Sequence, residues 1–188
     1  MTEIAGWLDP KIAAAMRDVI LREKPSVMVE IGVFAGKSLI NSALALKENG
    51  KGVIYGIDPW RNRDAVQALS PNDAKSTWVN IDLDAVHASC MRSVWEHELE
   101  NVVIIRATSK MAAPLFWPMS IDSLYIDGGH SEECATWDTI HYLPKVKRGG
   151  YIWIDDATWP SLQKSLSILD ECCTLEQDFE SAKLYKKA

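Results

Sequence analysis

None of the 188 residues falls in an apolar run long enough to span a bilayer, so no membrane role is expected. The N-terminal stretch does not read as a signal peptide, because Lys11, Arg17 and Asp18 interrupt its apolar positions. Cysteine is scarce: Cys90, Cys134, Cys172 and Cys173 have neither metal-ligand spacing nor the pattern of a disulfide framework. They read as reduced thiols in a cytoplasmic protein. Positive charge is also short. The formal net charge is −6, and Lys and Arg are scattered apart from Lys145, Lys147 and Arg148, so no nucleic-acid partner is expected. There is no repeat, low-complexity tract or linker, and one domain over 1–188 follows, large enough to build its core without disulfides.

What the chain has is an alternation of short apolar runs and helical patterns. Ile12, Met16, Val19 and Ile20 share one helix face, predicting an amphipathic helix over 9–22 with Pro10 in its first turn and Lys24-Pro25 as its stop. Strands are expected at Val27–Ile31, Val53–Ile57, Val102–Ile105, Ile121–Ile126 and 151–154, and most are continuously hydrophobic, as for strands covered on both faces. Helices are expected at 37–48, 72–98, 109–115, 131–143 and 160–170. Runs at 173–177 and 182–187 suit an antiparallel hairpin at the sheet edge. The fold class is therefore α/β: a doubly wound, Rossmann-like, seven-stranded and mostly parallel sheet with helices on both faces. The polar, turn-rich segment 59–80 has the character of a lid.

Two constellations carry chemistry. In the first, Glu30-Ile-Gly32-Val-Phe34-Ala-Gly36 follows the first strand and opens onto a helix, while Asp58 ends the second strand. Glycines there let a ligand approach the backbone, and the acid suits ribose hydroxyls. Gly36-Lys37-Ser38 invites a nucleoside-triphosphate reading, but the phosphate-cradling loop needs four residues before its Gly-Lys-Ser and only 33–35 are present. The shorter turn suits a ligand without phosphates, such as S-adenosylmethionine. Its amino-acid part would lie over 32–36, with Ser38 near the carboxylate, Asp58 on the ribose and Trp60 available to stack on adenine or substrate. Trp117 and Trp159 flank the loops of the site, whereas Trp78, Trp95, Trp137 and Trp153 are assigned to the core or to helix faces.

The second constellation is Asp127-Gly128-Gly129-His130 after the fourth strand and Asp155-Asp156 after the fifth. On adjacent strands these carboxylates meet at the carboxyl edge of the sheet, where open α/β sheets bind ligands. Close carboxylates must share a proton or a cation, and Mg²⁺ is the natural cation for an all-oxygen set. His130 is placed to take a proton from a substrate hydroxyl. The bland alternatives are helix capping by Asp127 and Asp155 and a solvated Asp156.

Together, Glu30-x-Gly-x-x-x-Gly36, Gly56-Ile-Asp58-Pro-Trp60, Asp127-Gly-Gly-His130 and Asp155-Asp156 resemble class I S-adenosylmethionine-dependent methyltransferases. They are most similar to the macrocin and mycinamicin sugar O-methyltransferases and, more distantly, to catechol O-methyltransferase. The resemblance implies a cofactor site at Glu30, Gly32, Phe34, Gly36, Ser38, Asp58, Trp60, Ser109 and Asp127, with Ser109 near adenine. It implies Mg²⁺ on Asp127, Asp155 and Asp156, His130 as general base with Asp127 beside it, and Asp138 in an unassigned role. The family has an aromatic two positions after the histidine, and this chain has Glu132. The acceptor would be a hydroxyl of a small molecule or sugar, and a homo-oligomer is open. A catalytically idle cofactor-binding domain is the alternative in a different class.

Overall fold

The computed structural model describes residues 5–71 and 75–188. Helix α1 (Pro10–Glu23) opens with Asp9, whose carboxylate accepts from the Lys11 amide, and with Pro10 at its first position. It ends where Lys24 turns left-handed (φ 50°) ahead of Pro25. The chain then alternates β1 (Val27–Ile31), α2 (Lys37–Glu48), β2 (Val53–Ile57), α3 (Asn62–Gln67), α4 (Lys75–Asn80), α5 (Leu83–Glu96), β3 (Val102–Ile105), α6 (Ser109–Ala112), β4 (Ile121–Ile126), α7 (Glu132–Tyr142), β5 (Val146–Ile154), α8 (Gln163–Cys172), β6 (Cys173–Asp178) and β7 (Lys183–Lys187).

These strands form one seven-stranded sheet in the order β3-β2-β1-β4-β5-β7-β6. The first five are parallel, while β7 runs antiparallel to both β5 and β6. The expected doubly wound sheet with an antiparallel terminal hairpin is thus observed. Alternate residues of the strands feed three apolar clusters: Met28 and Ile54 pack with Leu39, Ile40 and Leu46, Val29, Ile31, Leu124 and Ile152 pack with Tyr142 and Leu166 on the opposite face, and Tyr125, Tyr151, Trp153 and Leu184 pack with Ile12, Met16 and Val19 of α1. Each fully buried leucine or isoleucine contributes about 1.5–3 kcal/mol. No helix among the described residues is long and apolar enough to cross a membrane.

The chain leaves β1 towards β2 on one side and reaches β4 on the other. The carboxyl ends of β1 and β4 therefore flank the switch point of the sheet, where a crevice must open. Registers place the four relevant ends level, with Ile31 beside Ile57 and Ile126, and Ile126 beside Ile154.

The local reading needs four corrections. The helix expected over 72–98 is two helices, α4 and α5, because the Asp82 side chain accepts from the Ala85 amide and starts a new one; 72–74 lie outside the described residues. The segment 59–80, expected as turns, holds α3 and α4. The fifth strand begins at Val146 rather than Tyr151, with Gly149 (φ 73°) inside it. Trp95, expected to anchor a helix face, is 79% exposed.

Candidate active site

The glycine turn depends on the absence of a side chain. Gly32 has φ 85°, and a Cβ there would lie 1.8 Å from the Asp127 carbonyl oxygen, so the β1 and β4 loops touch backbone to backbone. Gly36 has φ 93°, and its missing Cβ leaves room for Cys90 Sγ, which would otherwise stand at 2.7 Å. Asp58 braces the same turn. Its Oδ2 accepts from the Val33 and Phe34 amides at 3.1 and 3.0 Å, and its Oδ1 accepts from the Trp60 amide at 2.7 Å. Burial nevertheless raises its pKa, with the three amides opposing the rise.

Glu30 is fully buried, and burial pushes its carboxyl well above the usual range. Ser38 donates to Glu30 Oε1 at 2.7 Å, so the hydroxyl expected to face a ligand carboxylate is spent inside the protein. A cavity of about 680 Å³ opens over this turn. Gly32, Phe34, Ser38, Asp58, Ser109, Asp127, His130, Asp155 and Asp156 line it, whereas Glu30, Gly36 and Trp60 lie behind its wall. The expectation that Trp60 stacks on a ligand is corrected: it is 1% exposed, its indole N–H donates to the Phe34 carbonyl at 2.8 Å, and its ring packs near His87. A positive φ of 42° turns it inward. The aromatic surface belongs instead to Phe34, stacked on Trp7 at 4.7 Å, with Trp78 edge-on to both.

At the ends of β4 and β5, His130 Nε2 lies 3.1 Å from Asp156 Oδ2 and 3.8 Å from Asp127 Oδ1. Trp159 meets the imidazole edge to face at 4.9 Å. Burial pushes Asp127 up to about 7; His130 opposes the rise, while Asp155 and Asp156 add to it. Asp155 is held apart from the imidazole: its Oδ2 accepts from the Tyr125 hydroxyl at 2.6 Å and its Oδ1 from the Asp156 amide at 3.0 Å. Among the described residues, the group whose ligand atoms all lie within 4.8 Å of one another is Asp127, His130 and Asp156, not the expected three aspartates. The carboxylate oxygens of Asp127 and Asp156 fit a divalent cation beside His130, with Asp155 steadied behind them.

Sequence reasoning missed Tyr125 and Trp7. Tyr125 had a signal, since it sits two residues before Asp127 and strand alternation puts both on one face. Trp7 had none. The segment 59–80 forms one wall of the cavity through Arg61, Asp64, Gln67, Leu69 and Trp78. It is fastened to the β4 loop, where the Ser131 amide donates to the Ala68 carbonyl at 2.7 Å.

A seven-stranded sheet in this order, with a glycine turn after β1 and an acid after β2, defines the class I methyltransferase fold. The family described as "Methyltransferase domain" matches residues 29–157, and the chain belongs to it. No curated protein matches the sequence. Solved structures share the fold at low identity. The O-methyltransferase NovP aligns with a TM-score of 0.72 at 18% identity, over 95% of this chain and 78% of its own. SAH-bound methyltransferase PaMTH1 of Podospora anserina gives 0.70 at 13%, over 97% and 80%. The O-methyltransferase TomG of Streptomyces achromogenes, in complex with SAM and involved in tomaymycin synthesis, gives 0.69 at 13%, over 100% and 83%.

Proposed function

We propose that the protein is an S-adenosylmethionine-dependent O-methyltransferase acting on a hydroxyl of a small molecule or sugar. The observation that carries this reading is the continuity of one cavity from the glycine turn and Asp58 to His130. The nucleoside end of the cofactor lies at Asp58 and Ser109, and the methionine end over 32–36. Beyond the three amides it accepts, Asp58 keeps one lone pair, on Oδ1, for the ribose.

The acceptor hydroxyl lies against His130, which takes its proton as the oxygen attacks the sulfonium methyl. The new O–C bond forms as the C–S bond breaks, leaving S-adenosylhomocysteine. Asp156 and Asp127 both approach Nε2 of the ring and stabilise the imidazolium as it forms. A divalent cation such as Mg²⁺, held by Asp127 and Asp156, would lower the pKa of the acceptor hydroxyl. Trp159 packs on His130 and excludes water from that side.

Calorimetric titration with S-adenosylhomocysteine, with ATP as control and with and without Mg²⁺, tests the reading. Micromolar nucleoside binding without ATP binding is expected. Binding of ATP alone would overturn it. Nucleoside binding without turnover on a broad panel of hydroxylated acceptors would favour an idle binding domain.

A further inference from the structure

The two outermost strands of the sheet are built differently. β6 presents Glu176, Gln177 and Asp178 to solvent and carries a register shift between Leu175 and Gln177, so it is blunted against a further strand. β3 reads Val-Val-Ile-Ile, without charge, proline or bulge, and no strand covers its outer side among the described residues. The carbonyls of Asn101 and Ile105 accept from the Ile54 and Asp58 amides on the β2 side, at 2.9 and 3.2 Å. Alternation then turns the N–H and C=O groups of Val102 and Ile104 outward, where a second strand would meet them.

Apolar side chains flank this open strand on both faces of the sheet. On one face, Asp84, Ala88, Met91 and Trp95 form a single stripe along α5. The Arg106 guanidinium, just past β3, bonds Asp84 and so fixes that stripe along the outer side of the strand. Met91 is 41% exposed there and Trp95 79%. On the other face Val103 is 40% exposed. Its neighbour in register, Tyr55, meets the Phe116 ring edge to face at 5.4 Å, which brings the adjoining Leu115, 63% exposed, beside the same pair of strands.

We propose that β3 joins the β3 of a second copy of this chain, antiparallel about a two-fold axis through Val103, so that the two sheets become one. Val102 then exchanges backbone hydrogen bonds with the partner's Ile104, and Ile104 with the partner's Val102. The same axis runs the two α5 helices antiparallel, with the Met91 side chains between them and Trp95 over the partner's Ala88. A foreign peptide strand would satisfy the β3 backbone but leave Trp95 and Leu115 in water, whereas a copy supplies both the strand and the cover. The size agrees. With a tryptophan burying about 150–250 Å², each copy covers roughly 500 Å² of side chain, and the pair with its joined backbones clears the about 1,000 Å² expected of a biological interface.

None of these side chains lines the crevice at His130, so substitutions here leave the catalytic residues in place. Sedimentation velocity of the wild type and of Trp95→Glu, Val103→Lys and Leu175→Glu is the test. The wild type should sediment as a dimer at micromolar concentration. Trp95→Glu and Val103→Lys should each raise its dissociation constant by about a hundredfold or more, because a two-fold interface contains every substitution twice. Leu175→Glu, on the opposite outermost strand where the leucine is 44% exposed, should leave the dimer intact. Deuterium exchange reads the strand directly: the Ile104 amide should be protected in the wild type and exchange about tenfold or more faster in Trp95→Glu. A monomeric wild type, a dimer that survives both β3-side variants, or one that Leu175→Glu dissociates would overturn the proposal.

Discussion

At the amino-terminal edge of the sheet, Asp122 accepts from the Ser26 and Val27 amides at 2.9 and 2.8 Å and from Lys147 Nζ at 2.6 Å. Burial works against its ionisation, but Lys147 and the two amides outweigh it and hold the carboxyl below its usual range. At the carboxyl-terminal edge the balance is reversed. Glu30, Asp58, Asp127 and Asp138 are all pushed upward by burial, and two of them keep an oxygen without a partner. Both edges carry a cavity, of about 320 and 680 Å³. The contrast separates structure from site: one edge neutralises its acid with the protein's own donors, and the other lines its cavity with carboxyls of Asp58 and Asp127 that burial holds above their usual range.

Glycines sharpen the contrast most. Gly32→Ala forces a Cβ into the Asp127 carbonyl and should cost roughly 3–5 kcal/mol, read as a lower urea midpoint. Gly149→Ala, at the other edge, shares a positive φ of 73° but meets nothing within 4 Å, and should cost only about 1–2 kcal/mol. Equal costs would mean that backbone strain, not the contact between the two loops, dominates at Gly32.

Catalysis is the next probe. His130→Ala should lower kcat by about 10²–10⁴-fold while leaving S-adenosylhomocysteine affinity within a few-fold. Parallel losses would make His130 part of the cofactor wall instead. A pH series follows. Asp138 titrates at about 7 in the folded chain against a usual 3.8, so the folded state binds the extra proton, and stability is full at low pH and lost as pH rises through 7. Between pH 5 and 8 Asp138 should account for a loss on the order of 2 kcal/mol, added to losses of the same sign from Asp127 and Glu30, and Asp138→Asn should make the slope shallower by that share. The smallest effect is expected at the amino edge. Lys147→Met should cost about 0.5–1 kcal/mol at neutral pH, in a salt-dependent way. Because Asp122 is depressed, that contribution holds above its usual pKa and vanishes as pH falls through the folded value.

The sheet was legible because its inner strands are unbroken apolar runs, a pattern that survives without tertiary knowledge. The turn at Gly32, the acid at Asp58 and the gathering of Asp127, His130, Asp155 and Asp156 at two strand ends followed once β4 and β5 were taken as neighbours, but not that His130, rather than Asp155, closes the group with Asp127 and Asp156. Direction was not legible. Nothing in the letters says that Trp60 turns inward through a left-handed backbone, or that the Ser38 hydroxyl is taken by Glu30. The break at Asp82 escaped notice because a one-residue cap competes with a long helical pattern, and only the geometry of its side chain decides the outcome.

The bond from the Ser131 amide to the Ala68 carbonyl, between the start of α7 and the end of α3, sets a clock. Any lifting of α3 away from the pocket must break it, because Ser131 belongs to the fixed floor and Ala68 to the wall. Deuterium uptake at this single amide therefore counts openings of the wall per unit time. If the nucleoside can leave only through that gap, its release cannot be faster than the count allows.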